Sequence, residues 1–144
     1  MRYLRILPFS ILLFGTLNSL YHADSNEVVT QFMNKMVKAV QSSDRNSIAA
    51  LFRDDFYFED CNRNWGKSPA VRYLSGARLD FELHSSKYIS TNVIEYSAAI
   101  TVAGNKFEAV FLLDAKNGIL RVFYGKIPHC ARNLAVRVNL ELME

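Results

Sequence analysis

The sequence of 144 residues contains only two cysteines and has no block of basic residues. Zinc sites require several Cys or His ligands, and the pair His129–Cys130 has no partner motif at metal-ligand spacing. Lys and Arg are scattered along the chain, so the basic patch typical of nucleic-acid-binding proteins is absent. We therefore expect no metal, no cofactor and no nucleic-acid partner.

The sequence also lacks the short motifs of two enzyme classes. Its six glycines form no phosphate-binding loop, and no serine has the nucleophile-elbow spacing of a hydrolase. Of the histidines, His22 lies near the N-terminus, His84 lies on the polar side of a predicted strand, and His129 lies beside a cysteine. These absences count against hydrolase and nucleotide-binding functions.

Only one long hydrophobic run occurs, and it lies at the N-terminus. Residues 6–17 are mostly apolar and follow the basic residues Arg2 and Arg5. The run is too short to cross a bilayer of about 30 Å, whereas a basic segment before such a run is typical of a signal peptide. We predict that residues 1–23 are a cleaved signal peptide and that residues 24–144 are a secreted domain without a membrane segment. An uncleaved anchor is the alternative.

The predicted mature chain carries little net charge and has the length of one domain. The formal charge of the whole sequence is +3, and subtracting Arg2 and Arg5 leaves about +1. Half of the residues are hydrophobic, which is enough for a single core. No Asn-x-Ser/Thr sequon is present, so N-glycosylation is not expected.

Two cysteines in an exported chain favour a disulfide. A bond between Cys61 and Cys130 would close a loop of roughly 70 residues and contribute about 4 kcal/mol in the chain-entropy model. Two separate buried thiols are the alternative, because the sequence does not give the distance between the two Cα atoms.

The first part of the predicted domain has helical periodicity. Asp24 and Glu27 resemble a capping box at a helix N-terminus. Behind it, apolar side chains recur at every fourth residue and give a wide apolar face; they are Val28, Phe32, Met36 and Val40. Shorter helices are expected near residues 47–52 and, opened by a Ser-Pro pair, at residues 68–74.

From residue 56 onward the chain is dominated by predicted strands. FYFED, residues 56–60, is rich in aromatic residues that favour strands, and CNRNWG, residues 61–66, is interpreted as a loop. In that loop we expect Trp65 to be a packed anchor, with a position at a pocket mouth as the alternative. After Gly76, apolar and polar residues alternate as in an antiparallel sheet with one wet face. The expected strands cover residues 79–84, 88–103 with a break near 91–93, 106–113 and 119–127, and a further strand or a partner-binding extension covers 136–142.

These elements predict an α+β fold. The expected architecture is a cone-shaped barrel, in which a twisted antiparallel sheet wraps around three N-terminal helices. The pairs Gly104–Asn105 and Asn117–Gly118 would form two of its hairpin turns. The apolar face of the first helix and the concave face of the sheet would enclose a pocket between them.

Four segments of the chain carry a recognisable pattern. The first, DRNSIAALFRDDFYFEDC at residues 44–61, combines a helix, an Asp and an aromatic strand ending in Glu-Asp; GKSPAVRYL, GNKFEAVFLL and ILRVFYGK follow it. These segments resemble the signature, the third helix and the later strands of the nuclear transport factor 2-like superfamily, which includes SnoaL-like and ketosteroid isomerase-like enzymes. The predicted signal peptide and the cysteine pair resemble those of the small secreted nematode-type branch of this superfamily. That branch is largely without assigned activity. The resemblance implies the cone fold and, as in many members, dimerisation through the outer sheet face.

The resemblance also gives Asp60 a candidate role. In the isomerase branch the acid that ends this strand is the general base, and strand alternation puts Phe56 and Phe58 on the same face as Asp60. Proton abstraction beside a ketone also requires hydrogen-bond donors for the developing enolate. The donor tyrosine of the family falls at or near Met36 and its second acid near residues 111–113, where this chain has apolar side chains. Asp60, at the position of the family's general base, therefore lacks the donor tyrosine and the second acid that accompany this base in the family.

We predict a secreted, non-catalytic domain that binds a small apolar ligand in its cone, or keeps the cone filled by its own side chains. A second class is an interaction module that uses the outer sheet face, through which a homodimer would form. The alternative is an isomerase- or cyclase-type enzyme with Asp60 as its general base. The candidate ligand-binding residues are Phe32, Met36, Phe56, Phe58, Tyr73, Phe81 and Phe111.

Overall fold

The computed structural model describes residues 23–130. The predicted signal peptide, apart from its last residue, and the segment predicted at residues 136–142 lie outside the described residues. Within residues 23–130, no helix is both long enough and apolar enough to cross a membrane.

Helix α1 spans Ser25–Ser42. It begins at Asp24, whose carboxylate accepts a 3.0 Å hydrogen bond from the Asn26 N–H, as expected of an N-cap residue. Its buried side chains form the apolar face predicted from the sequence; they are Val29, Phe32, Met33, Met36, Ala39 and Val40. The helix ends at Ser43, which adopts a left-handed conformation with φ 56°.

Helix α2 spans Arg45–Ala49, and helix α3 spans Lys67–Leu74. The side chain of Asp44 caps α2 by accepting a backbone hydrogen bond. Both helices differ by a few residues from the sequence expectation. Helix α2 is shorter because Phe52 already opens the first strand, and α3 begins one residue before the predicted Ser68.

Six strands form one sheet in the order β2-β1-β6-β5-β4-β3. They are β1 Phe52–Glu59, β2 Asn64–Gly66, β3 Leu79–Ser90, β4 Val93–Val102, β5 Asn105–Asp114 and β6 Arg121–Lys126. Strands β3 to β6 form the expected antiparallel meander, with the expected break near residues 91–93 as the turn between β3 and β4. Strand β2 replaces part of the predicted loop, because it pairs with β1.

The α+β fold is confirmed, and the sheet is mixed and open rather than a fully antiparallel barrel. Strand β1 runs parallel to β6, with Phe58 opposite Gly125, whereas the other neighbouring pairs are antiparallel. A long crossover through α3 and the meander separates β1 from β6, so no hairpin imposes an antiparallel direction. Among the described strands, β2 and β3 are the two edges of the sheet.

The core lies between the helices and one face of the sheet, which we call the inner face. On the central strands this face carries Ile94, Tyr96, Ile100 and Leu113, each at most 5% exposed. These side chains and the apolar face of α1 belong to one cluster. The strand residues between them, such as Glu95, point to the opposite side of the sheet, which we call the outer face.

The predicted disulfide between Cys61 and Cys130 is formed, with the two Cα atoms 5.0 Å apart. It joins the chain just after β1 to the segment that follows β6, and so links the ends of the parallel strand pair. Beside it, the Ile127 N–H donates a 3.1 Å hydrogen bond to the Glu59 carbonyl. This end of the sheet is therefore held by a covalent bond as well as by hydrogen bonds.

Candidate functional site

A cavity of about 550 Å³ lies between the helices and the inner face of the sheet. Six of the seven predicted ligand-binding residues line it, from α1, β1, α3 and β5; they are Phe32, Met36, Phe56, Phe58, Tyr73 and Phe111. Other apolar side chains complete the wall, including Ile100 on β4 and Val122 on β6. Most of the predicted residues therefore line the cavity, while the binding role of these side chains stays a prediction.

Phe81 is the exception, because it does not line this cavity. It lies on the edge strand β3 opposite Ile100 of β4 and is only partly buried against the core. Ile100 and Leu79 supply the cavity wall in this region, and Phe81 borders a small surface groove with Asp80 and Glu82. Alternation along β3 gives the face of the sheet on which a residue lies, but not how far the cavity extends across that face.

An aromatic row forms part of the cavity wall. The ring of Phe111 stacks on Tyr96 with centroids 5.2 Å apart and on Phe58 with centroids 5.9 Å apart. Gly125 on β6 lies directly beside this row and leaves room for the two phenylalanine rings. A glycine inside a strand often marks such a close approach. The glycine of the predicted strand segment FYGK could therefore have indicated that other side chains pack against this position.

Asp60 lies in the cavity wall at the end of β1, on the same face as Phe56 and Phe58. One of its carboxylate oxygens accepts a 2.6 Å hydrogen bond from the Cys61 N–H, and the other accepts a 3.4 Å bond from the Trp65 indole N–H. Its own backbone N–H donates to the Arg63 carbonyl over 3.1 Å. The carboxylate therefore fixes the turn that connects β1 to β2.

The tyrosines that could have assisted Asp60 occupy two different regions. Tyr57 and Tyr124 face each other across β1 and β6 on the outer face, away from the cavity. Tyr73 and Tyr96 line the cavity, but neither donates a hydrogen bond to Asp60. Partial burial and the hydrogen bond with the neighbouring Glu59 carboxylate raise the pKa of Tyr124 above its ordinary value.

Tyr96 is the one tyrosine whose hydroxyl lies deep in the described part of the core. The residue is 2% exposed, and its O–H donates to the Met33 thioether sulfur over 3.5 Å. Burial raises the pKa of Tyr96 far above its ordinary value, so the hydroxyl stays protonated and acts as a donor. The alternation of apolar residues along β4 in the sequence indicates that the Tyr96 side chain points to the inner face.

The cavity opens to solvent at the end of the sheet that carries the disulfide. Exposed residues from the turn after β1 and from the start of β5 line this opening, which we call the cavity rim; they are Asn62, Arg63, Asn105 and Lys106. Trp65 also lies there, with the Arg63 guanidinium 3.9 Å from its ring centroid and the Tyr73 ring 5.8 Å away. Trp65 therefore combines the two roles considered for it, a packed anchor and a residue at the pocket mouth.

Metal-ligating side chains are dispersed in the described residues. No group of three His, Cys, Asp or Glu side chains within residues 23–130 lies close enough together to hold a metal ion. His84 lies on the outer face, with its Nε2 atom 3.6 Å from a carboxylate oxygen of Glu108. It contributes nothing to the cavity wall.

The family model of the NTF2-like domain, where NTF2 denotes nuclear transport factor 2, matches residues 26–132. The match includes all helices and strands described above, apart from Ser25 at the start of α1. None of the curated proteins matches the chain significantly.

Many solved structures share the fold at low sequence identity. An NTF2-like protein from Cytophaga hutchinsonii is 18% identical, with a TM-score of 0.59 over 72% of this chain and 97% of that protein. A conserved protein from Planctomyces limnophilus is 13% identical, with a TM-score of 0.59 over 70% of this chain and 93% of its own. An NTF2-like protein of unknown function from Shewanella oneidensis is 8% identical, with a TM-score of 0.58 over 70% and 96%. These similarities show the fold alone.

Proposed function

The chain belongs to the NTF2-like family, and we propose that its function is to bind a small apolar ligand in the cavity without carrying out a reaction on it. The cavity itself is the observation that carries this proposal. Its volume of about 550 Å³ lies within the range of roughly 300–1,000 Å³ that is usual for ligand sites. Its wall is largely aromatic and aliphatic, and its rim reaches solvent, so a ligand has both a matching surface and an entrance.

The packing of the wall supports a ligand-binding role over a cone filled by its own side chains. Phe58, Phe111 and Tyr96 stack in a row along the sheet, so each ring is held in place by its neighbour. Stacked rings are restricted to a few geometries and rotate little. The space between this row and α1 is therefore maintained by the packing of the wall.

The alternative, an isomerase- or cyclase-type enzyme that uses Asp60, has less support. Asp60 lines the cavity, but both of its oxygens already accept hydrogen bonds from the adjacent turn. The family positions of its partner groups are occupied by apolar side chains at Met36 and near Phe111. Asp60 is also the sole carboxylate among the described residues of the cavity wall.

Native mass spectrometry tests the ligand-binding proposal. Protein prepared from a secreting eukaryotic host is expected to carry a bound mass that organic extraction removes. The variant Met36→Trp extends a larger side chain into the cavity and is expected to lose this mass. Lys35→Trp is the matched control, because Lys35 is an exposed residue of the same helix. A ligand-free mass for the wild type in repeated preparations contradicts the proposal.

We also propose that the protein is secreted, as the predicted signal peptide implies. The disulfide is typical of oxidising compartments and is compatible with this location. Membership of the secreted nematode-type branch stays a prediction. Expression of the full sequence is expected to release the protein into the medium, and deletion of residues 1–23 is expected to retain it in the cell. Equal retention of both forms contradicts the proposal.

A second proposed function concerns the outer face of the sheet. Leu112 of β5 lies beside Tyr124 of β6, and Tyr124 lies beside Tyr57 of β1. Tyr57 is 40% exposed, and the other two are partly exposed. This adjoining apolar and aromatic surface is suited to pairing with a second copy of the chain, since aromatic side chains are enriched at interfaces.

Sedimentation equilibrium tests this pairing. We expect a dimer at micromolar concentration for the wild type and a monomer for Leu112→Lys. Ile89→Lys, at an exposed apolar residue on the edge strand β3, serves as the control and is expected to remain dimeric. A wild-type chain that is monomeric throughout the concentration range contradicts the second proposal and leaves the ligand-binding proposal untouched.

A further inference from the structure

Among the described residues, one hydroxyl group lies in the deep part of the cavity, that of Tyr96. Of the described polar residues that line the cavity, most lie at the rim, in the turn that follows β1 or at the start of β5. Tyr96 lies instead at the middle of β4, surrounded by buried apolar residues and only 2% exposed. A ligand that fills the cavity therefore meets one strong hydrogen-bond donor away from the rim.

This donor is poorly satisfied by the protein itself. The Tyr96 O–H has the Met33 sulfur as its partner at 3.5 Å, and a thioether is a weak acceptor. A buried hydroxyl without a good acceptor costs free energy, because it has lost its hydrogen bonds to water. Met33 also lines the cavity, so the donor and its weak partner are both at the cavity wall.

The direction of the hydroxyl is fixed by the packing of its ring. Tyr96 stacks on Phe111 with an interplanar angle of 24°, and its strand pairs with β3 on one side and β5 on the other. The ring therefore has little freedom to turn the hydroxyl toward solvent. A donor held in place in this way lowers the entropic cost of binding an acceptor.

We propose that Tyr96 determines the class of ligand, which is an uncharged apolar molecule with a hydrogen-bond acceptor oxygen, such as a ketone, ether or alcohol. The acceptor oxygen would take the Tyr96 hydrogen in place of the Met33 sulfur, while the apolar body contacts the aromatic row. A charged group is disfavoured at this depth because its desolvation is costly. This inference rests on the proposed ligand-binding function.

A pair of nearly isosteric compounds tests the inference. Benzophenone and diphenylmethane have the same two rings and differ in whether a carbonyl or a methylene joins them. Their dissociation constants would be measured by isothermal titration calorimetry with the wild type, Tyr96→Phe and Tyr73→Phe. The readout is the preference, defined as the dissociation constant of diphenylmethane divided by that of benzophenone. Comparing preferences between variants cancels the different hydration of the two compounds.

We expect the preference to fall about fivefold in Tyr96→Phe, as loss of one neutral hydrogen bond implies. Tyr73→Phe removes the hydroxyl of a second cavity-lining tyrosine, which is 46% exposed. Loss of this hydroxyl is expected to change the binding of both compounds alike and so to keep the preference within about twofold. The carbonyl stretch of bound benzophenone provides a second readout. It is expected at a lower infrared frequency in the wild type than in Tyr96→Phe, because the hydrogen bond weakens the carbonyl bond.

The possible outcomes separate this inference from the proposed function. If both compounds bind and Tyr96→Phe keeps the wild-type preference and carbonyl frequency, the role of Tyr96 is overturned and the ligand-binding function stands. An equal fall of the preference in Tyr73→Phe also overturns it, because the acceptor then lies near the rim. If neither compound binds the wild type, the ligand-binding function fails, and the inference fails with it.

Discussion

Gly125 of β6 lies so close to Phe111 of β5 that a Cβ atom at Gly125 would be 2.6 Å from the Phe111 ring. The same Cβ would be 2.7 Å from the ring of Phe58 on β1. The aromatic row of the cavity wall therefore depends on a position without a side chain, at the point where the parallel strand joins the meander.

Gly125→Ala is expected to destabilise the fold, because the added methyl group forces the rings of Phe58 and Phe111 to move. We expect a loss of about 1–3 kcal/mol in the free energy of unfolding, as for other overpacked cores, measured by urea denaturation. Gly66→Ser is the control: a Cβ at Gly66 meets no atom within 4 Å, and Ser is favoured at a helix N-cap. Equal stabilities of wild type and Gly125→Ala would contradict this account of the wall.

Asp60→Ala is expected to destabilise the turn after β1. The substitution removes the carboxylate that accepts hydrogen bonds from the Cys61 N–H and the Trp65 indole N–H, and we expect a loss of about 1–3 kcal/mol in the free energy of unfolding. Asp80→Ala, at an exposed acid of β3, is expected to change stability by less than about 0.5 kcal/mol. Urea denaturation of both variants checks the prediction, and equal effects would remove the structural role assigned to Asp60.

Removal of the disulfide is expected to weaken the fold substantially. Cys61→Ser combined with Cys130→Ser frees a chain segment with a sequence separation of 69 residues, and we expect a loss of about 2–4 kcal/mol. Thermal unfolding of the wild type with a reducing agent should reproduce the loss, whereas the double variant should not respond to that agent. Unchanged unfolding in both experiments would show that the link contributes nothing to stability.

Acid is expected to weaken two surface ion pairs of β1. The hydrogen bond from Arg53 lowers the pKa of Asp55 below its ordinary 3.8, and Lys67 does the same for Asp54. A lowered folded-state pKa adds stability above pH 3.8, and this stability is lost as the pH falls through the folded-state values.

Thermal unfolding at several pH values checks the ion-pair prediction. The melting temperature of the wild type is expected to fall below about pH 4 more steeply than that of a variant with both Asp54→Asn and Asp55→Asn. The difference should be small, because exposed ion pairs contribute little, and it should shrink further in high salt. Parallel profiles at low salt would show that these pairs do not stabilise the fold.

Sequence periodicity was informative wherever structure depends on nearby residues. Apolar residues at every fourth position, including Phe32 and Met36, predicted α1, and alternating apolar and polar residues predicted the meander strands. Both patterns are reliable because the faces of a helix and of a strand follow directly from backbone geometry. The parallel pairing of β1 with β6 depends on residues far apart in the chain, so no local pattern revealed it. The position of Phe81 outside the cavity was missed for the same reason.

The same distinction applies to the candidate site: features within one segment could be predicted, whereas contacts between distant segments could not. Phe56 and Phe58 lie on β1 and Asp60 directly follows that strand, so their common direction could be predicted from alternation alone. The hydrogen bonds that occupy Asp60 come from a turn whose conformation the sequence does not specify. The environment of the Tyr96 hydroxyl depends on contacts between α1 and β4, which are separated in the sequence by two helices and three strands. A pattern in a single segment carries no information about such contacts.

The central claim is that the cavity binds a small apolar ligand, and methionine methyl NMR tests it most directly. Met33 and Met36 both line the cavity, and their methyl groups can be labelled selectively and assigned by substitution. Titration with diphenylmethane is predicted to shift both signals along a single saturable binding curve. Signals from Met33 and Met36 that remain unchanged up to the solubility limit of the compound would contradict the claim.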